Sequence, residues 1–187
     1  CVATVVDGRA ALIPDRQGRL VHPSIVYFPP HGEPVVGDDA RPFLATDPTN
    51  TVYSFKRLIG REFNSGPVRI ARNACPYDIA AGPNGFAVVR TRSGEYSVPE
   101  LSGFVLRHLK RIAEDYLQAP VEQAVITVPA NFNDPARQST RIAGRIAGLE
   151  VLRIVNEPTA AALAFGFGMR LHETLIIYDF GGGTFDV

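Results

Sequence analysis

Apolar and polar positions recur at two different periods along this chain, and the change of period marks its organisation. Residues 1–22 carry short apolar runs, Val2 with Val5 and Val6 and then residues 10–13, separated by Asp7-Gly8. Asp-Gly between apolar runs signals a hairpin, because the tightest hairpin turn needs φ > 0 at both central residues. Residues 23–28 form a third extended run, closed by Pro29-Pro30. From there to about residue 97, Pro and Gly are frequent and apolar runs are short. Helix signals are weak apart from residues 38–44 and 53–59. Strand-like pieces at 77–80 and 86–90 flank the turn Pro83-Asn84-Gly85. This middle stretch reads as a small α+β insertion.

Beyond about residue 98 the pattern is far more regular. Residues 99–117 place Leu101, Val105, Leu109, Ile112 and Tyr116 at helical spacing, with Pro99 suited to a first turn. Residues 123–128 form an apolar strand. Asp134 then reads as an N-cap with Pro135 at the first helical position, and that helix ends near Gly148. Residues 151–155 are the next strand, so strand, helix and strand make a βαβ unit with parallel pairing. Glu157-Pro158 opens a short alanine-rich helix to about Phe167, and residues 174–178 read as another buried strand. The fold class is α/β with an inserted smaller subdomain.

Candidate chemistry gathers at strand ends. In Leu175-Ile-Ile-Tyr-Asp-Phe-Gly-Gly-Gly-Thr-Phe-Asp-Val187 an apolar strand delivers Asp179 to Gly181, Gly182 and Gly183. Consecutive glycines allow successive N–H groups to point at one anion, Thr184 adds a hydroxyl, and Asp179 and Asp186 could hold a hydrated Mg²⁺ beside phosphates. The same residues read equally as a glycine-rich hairpin with two solvated aspartates. No Lys follows the glycines, so this is not a Walker A loop. Lys56, in Ser54-Phe-Lys-Arg-Leu-Ile-Gly60, is either a solvated cation or a point charge for a transferring phosphoryl group. Glu157 closes a strand at a helix N-terminus, where it could cap the helix, orient a water or hold a metal shell. Pro129 and Arg137 read most simply as a strand stop and a surface cation.

Composition narrows the classes. Among 187 residues, 45% are hydrophobic and 20% charged, which excludes a disordered chain. Lys+Arg and Asp+Glu are both 19, so a general nucleic-acid backbone binder is disfavoured. Only Lys56 and Lys110 are lysines, which makes each informative. No stretch approaches the roughly 18 consecutive apolar residues of a membrane span, and no signal peptide is evident, so a cytoplasmic protein is expected. Cys1 and Cys75 read as ordinary thiols. Both ends break off in strand-like sequence, so the chain is expected to be a piece of a longer protein.

Four motifs in order then carry a resemblance. They are Lys56-Arg-Leu-Ile-Gly-Arg61, Ala124-Val-Ile-Thr-Val-Pro-Ala-Asn-Phe-Asn-Asp134, Ile154-Val-Asn-Glu-Pro-Thr-Ala-Ala-Ala-Leu163 and Asp179-Phe-Gly-Gly-Gly-Thr-Phe-Asp186. Together they resemble the nucleotide-binding domain of the seventy-kilodalton heat-shock (DnaK-type) chaperones, over the whole chain. The resemblance implies an actin-like ATPase (ribonuclease H-like) fold, truncated at both ends. Residues 1–22 and 98–170 would form the first subdomain of lobe one, 23–97 an inserted outer subdomain, and 171–187 the start of lobe two.

By the same resemblance, Gly181, Gly182, Gly183 and Thr184 match a phosphate loop. Asp179 and Asp186 match the acidic residues that hold Mg²⁺ through water, with K⁺ as a further candidate ion. Lys56 and Glu157, with Thr184, match the residues acting on the phosphate and the attacking water of ATP. Pro129 and Arg137 match a switch proline and its partner arginine. Implied partners are ATP/ADP, unfolded client peptides held by an absent C-terminal domain, a J-domain co-chaperone and a nucleotide exchange factor, with neither nucleic acid nor membrane. This chain alone is expected to be inactive, for want of the first phosphate loop and the adenosine side of the cleft. The alternative is a non-enzymatic member of the actin-like superfamily acting as an interaction module. Asn131 stands where the family usually has Tyr, and Phe180 where it usually has Leu.

Overall fold

A computed structural model describes residues 1–166, 174–180 and 185–186. Strands β1 (Ala3–Val6) and β2 (Arg9–Leu12) pair antiparallel with Ala3 opposite Leu12. Asp7 and Gly8 both have positive φ, 50° and 74°, as the two-residue turn requires. Strands β3 (Ile25–Tyr27), β4 (Val35–Val36) and β5 (Thr51–Tyr53) form an antiparallel sheet in the order β4-β3-β5. Between β4 and β5 lie two 3₁₀ turns and the short helix α1 (Phe43–Thr46). The expected helical stretch at residues 38–44 is therefore a 3₁₀ turn followed by α1. That at 53–59 is the end of β5 followed by a 3₁₀ turn at Phe55–Leu58.

Helix α2 (Gly66–Ala74) leads into the meander of β6 (Asp78–Ala81), β7 (Ala87–Thr91) and β8 (Gly94–Ser97). The long helix α3 (Val98–Leu117) starts from a capping box, in which Ser97 accepts from the Glu100 N–H and Glu100 accepts from the Ser97 N–H. Strands β9 (Gln123–Val128) and β10 (Glu150–Asn156) pair parallel around the helix α4 (Asp134–Ile146), which is the expected βαβ unit. The α4 cap is shifted by one residue from expectation. Asn133, not Asp134, is the N-cap: its backbone is extended and its side-chain oxygen accepts from the Ala136 N–H at 3.1 Å. Asp134 moves into the first turn, where a carboxylate favours the helix dipole. Helix α5 (Glu157–Gly166) follows β10 without a break, and β11 (Asp179–Phe180) pairs antiparallel with β12 (Phe185–Asp186).

Residues 174–178 do not form the buried strand their composition suggests. They have no regular structure, and Ile176 and Tyr178 are 83% and 70% exposed. Apolar composition alone does not make a strand, which also needs the backbone pairing of a ladder.

The largest core joins the inserted stretch to α3 and α4. Val26, Phe28, Val52, Phe55, Leu58 and Val89 pack with Val98, Leu101 and Ala136 in one cluster. Phe28 is its aromatic centre, stacked on Tyr96 at 4.5 Å and edge-on to Phe104 at 5.9 Å. Helix α3 also holds the far end of α4: Lys110 Nζ donates to the Gly148 carbonyl at 2.8 Å, and Arg107 donates to Ile146 O at 3.1 Å. Cations on the last carbonyls of a helix are favourable. One of the two lysines thus has a structural role. Of the helically spaced apolar residues on α3, Leu101 and Ile112 are buried, but Tyr116 is 47% exposed because it stands in the last turn, beyond the packed neighbours.

The loop between β2 and β3 is pinned to α3 by two histidines. The His22 side chain is 1% exposed, its ring lies edge-on to His108 at 5.6 Å, and its Nε2 has no hydrogen-bond partner among the described residues. The Asp15 carboxylate lies 3.9 Å from His22 Nδ1, but accepts from the Gln17 and Arg19 N–H groups and the Arg19 guanidinium. Burial lowers both imidazoles below their ordinary value. For His22 it is opposed by Asp15 and Asp38 and reinforced by the Cys1 amine and Arg19. For His108 it is reinforced by His22 and Arg19 and opposed by Asp39 and Asp15.

A histidine with a lowered folded pKa binds fewer protons folded than unfolded, so stability is full above the unfolded value near 6.5 and falls below it. We expect the unfolding free energy in urea to fall as pH drops from about 7.5 to 5.5, by at most about 1.4 kcal/mol per pH unit for each imidazole. A His22→Asn, His108→Gln double variant should flatten that slope. The same slope in both proteins would sink the assignment.

Candidate functional site

The site is built where three segments meet. Ser54, in the left-handed region at φ 55°, turns the chain out of β5 into the 3₁₀ turn Phe55–Leu58. Phe55, Leu58 and Ile59 are 3%, 1% and 5% exposed, so they anchor the turn in the core while Lys56 is left 41% exposed. Gly60 follows at φ +63°, directly against the first turn of α4. A Cβ there would lie 2.4 Å from the Ala136 nitrogen. The segment carrying Lys56 is therefore clamped to α4 backbone against backbone.

The parallel pairing of β9 and β10 supplies the second and third segments. Asn156 stands opposite Val128 in register, so Pro129 and Glu157 leave the sheet at the same carboxyl edge. That edge is where open α/β sheets place ligands. Lys56 Nζ donates to Glu157 Oε1 at 2.8 Å, joining residues 101 positions apart. The Glu157 side chain is 22% exposed. An ion pair this open to solvent contributes only about 0–1 kcal/mol to stability, so it is a contact that a polyanion can displace. The Phe132 ring lies 6.0 Å from Lys56 Nζ.

Pro129 is fully buried at the end of β9, and its carbonyl accepts from the Phe132 N–H at 3.2 Å. Arg137, one turn into α4, is not a free surface cation. Its Nε donates to Phe132 O at 3.1 Å and its guanidinium donates to the Asn156 side-chain oxygen. Lys56, Glu157, Pro129 and Arg137, separate expectations along the chain, are thus linked through Phe132 and Asn156. Lys56 and Phe132 also line a cleft of about 1250 Å³ between β1, α3 and β9. Val2, Val5, Leu109 and Val125 make most of that wall apolar, with Lys56, Lys110 and Glu122 as its charged members.

Of the glycine-rich segment, Asp179 stands opposite Asp186 across the β11–β12 ladder. Gly181, Gly182, Gly183 and Thr184 lie outside the described residues. Among the described residues no group of three or more His, Cys, Asp or Glu is placed to hold a metal ion, and no helix is long and apolar enough to cross a membrane. Cys1 and Cys75 are both free thiols.

Sequence reasoning missed Asn156, Phe132 and Gly60 as parts of this site. All three stood inside the motifs quoted for their neighbours, and position in the motif was the available signal.

Compared with known families, the Hsp70 protein family model matches residues 1–187, the entire chain. The chain belongs to the Hsp70 family. The assignment brings with it an ATP-binding chaperone domain, and the mixed α/β build with small sheets is compatible with one. Within the Hsp70 match, Lys56, Pro129 and Glu157 fall in the motifs that carried the resemblance, and Arg137 stands three residues beyond the motif that ends at Asp134.

Proposed function

We propose that this Hsp70-family chain forms the phosphate-facing side of an ATP-hydrolysing site, in a lobe of actin-like ATPase fold, within a protein-folding chaperone. In this reading residues 1–22 and 98–170 make the first subdomain of lobe one, 23–97 its inserted outer subdomain, and 171–187 the start of lobe two. The observation that carries it is the Lys56–Glu157 pair at the carboxyl edge of β9 and β10.

The donor set suits a triphosphate and its attacking water. Lys56 presents an ammonium with three donors, only one of which Glu157 Oε1 needs. On approach of the γ-phosphate it transfers its charge from the carboxylate to the phosphate oxygens, where negative charge grows in the transition state. Glu157, thereby released, accepts a hydrogen bond from the water lined up for attack. Gly181, Gly182, Gly183 and Thr184 hold the phosphates through N–H and hydroxyl donors. Asp179 and Asp186 are the residues that would hold a hydrated Mg²⁺, with K⁺ as a further candidate, and such an ion would neutralise phosphate charge. Catalysis is then mostly positioning and charge stabilisation. Pro129 and Arg137 pass the state of the site to a peptide-binding domain, coupling nucleotide to client peptide. J-domain co-chaperones and exchange factors act on the same cycle.

The reading is tested by single-turnover hydrolysis of Mg·ATP in the full-length protein and its Glu157→Gln variant. Slow hydrolysis lost in the variant, with ADP binding retained, is expected. Binding without hydrolysis in the wild type would replace it with a non-enzymatic interaction module. The 187-residue chain alone is expected to bind Mg·ATP weakly and not to turn it over, which calorimetry reads directly.

A further inference from the structure

The contacts around Lys56 close into a ring. Glu157 accepts from Lys56; Lys56 stands over the Phe132 ring; the Phe132 carbonyl accepts from Arg137; and Arg137 donates to Asn156, the residue preceding Glu157. The last link is the peptide bond between Asn156 and Glu157. Every member is therefore held from two sides, and among the described residues Asn156 joins the guanidinium to the segment that carries Glu157.

Its chemistry suits that place. Asn156 ends β10 and Glu157 begins α5, so the pair sits at a junction whose direction the sheet alone does not set. An amide oxygen accepts from Arg137 without bringing a second carboxylate beside Glu157 to compete for Lys56. Arg137 in turn uses two different nitrogens, Nε on the β9–α4 connection and a terminal nitrogen on Asn156. The planar guanidinium thus fixes the separation of the β9–α4 connection from the β10–α5 junction.

We propose that Asn156 is a positioning residue: through its bond to Arg137 it sets the place of Glu157 against Lys56, and so against the phosphate and water. This rests on the ATPase reading for its catalytic consequence but not for the ring itself. Displacing a catalytic group by a fraction of an ångström to an ångström costs roughly ten- to a hundredfold in rate.

The experiment uses the full-length protein with Asn156→Leu, Asn156→Asp, Arg137→Ala and the Asn156→Leu, Arg137→Ala double variant. Asn156→Leu should lower kcat for ATP hydrolysis about tenfold with KM nearly unchanged. Asn156→Asp, which keeps an oxygen acceptor for Arg137 but adds a carboxylate beside Glu157, should recover part of that loss. The double variant should be no slower than Arg137→Ala, since Arg137→Ala already breaks the bond that Asn156→Leu removes. Equal rates for the Leu and Asp variants, or additive losses, would overturn the proposal.

A second readout needs no turnover. In protein reductively methylated with ¹³C-formaldehyde, the Lys56 methyl signal, assigned by its loss in Lys56→Arg, should shift in Asn156→Leu towards its position in Glu157→Gln. A signal left at the wild-type position overturns the ring whatever the hydrolysis shows. A shifted signal in a protein that hydrolyses no ATP upholds the ring and removes the ATPase reading instead.

Discussion

Alanine in place of Gly60 is expected to leave the chain largely unfolded at room temperature. Its φ of +63° is one that a Cβ disfavours by roughly 1–2 kcal/mol. The steric cost is larger, because the new Cβ would meet only backbone: Ala136 N at 2.4 Å, and Ala136 Cα and Pro135 C at 2.7 Å. No side chain can swing aside there. Relief requires lifting the 3₁₀ turn off α4, and the turn carries Phe55, Leu58 and Ile59 into the main core. Each such side chain is worth about 1.5–3 kcal/mol when fully buried, against a total stability for ordinary domains of about 5–15 kcal/mol. Urea melts followed by circular dichroism read the loss. Gly85→Ala is the control, since Gly85 has a similar φ of +78° and nothing within 4 Å of the added methyl. It should cost only about 1–2 kcal/mol. Equal midpoints for the two variants would show that the close docking of the turn on α4 is wrong.

That docking also explains what the sequence could and could not tell. The βαβ unit was legible because local signals agreed with tertiary demand: an apolar strand, a capped helix with an early proline, a glycine after its end, and a second apolar strand. The cap itself slipped by one residue because Asn133 and Asp134 are both good caps, and the extended backbone at Asn133 decides between them. Helix α2 escaped notice because it begins Gly66-Pro67 and has only Val68 buried. Strands β4, β5 and β8 are two to four residues long, too short for a period to show. Residues 174–178 misled in the other direction, being apolar in composition yet without regular structure.

The site divides in the same way. Residue type at a strand end marked Lys56 and Glu157, since charge there is visible in one dimension, and only the family resemblance marked Pro129 and Arg137. The contacts that make them one site are not: Lys56 and Glu157 are 101 residues apart, and only the β9–β10 register brings Asn156 level with Val128. Arg137 read as a surface cation because its partners, a loop carbonyl and a strand-end amide, are set by the fold. The scarcity of lysine was a sound cue with two answers, since Lys110 holds the end of α4 and Lys56 faces the site.

Lys56→Ala should then separate catalysis from stability more sharply than any other substitution in this chain. Removing one preorganised charge donor from a transition state typically costs about 10²–10³ in kcat. The same change should move the melting midpoint little, because the Lys56–Glu157 pair is 41% and 22% exposed and such pairs contribute about 0–1 kcal/mol. Binding of ADP should persist, since Lys56 acts on charge that grows during transfer. Lys56→Arg should not restore the rate. A planar guanidinium matches the Glu157 carboxylate bidentately and would stay locked on it, where the ammonium can turn to the phosphate. Single-turnover hydrolysis, thermal melts and ADP titration of the full-length variants give all the readings needed. A Lys56→Ala protein that hydrolyses ATP at the wild-type rate would leave the pair a surface contact and move the chemistry elsewhere.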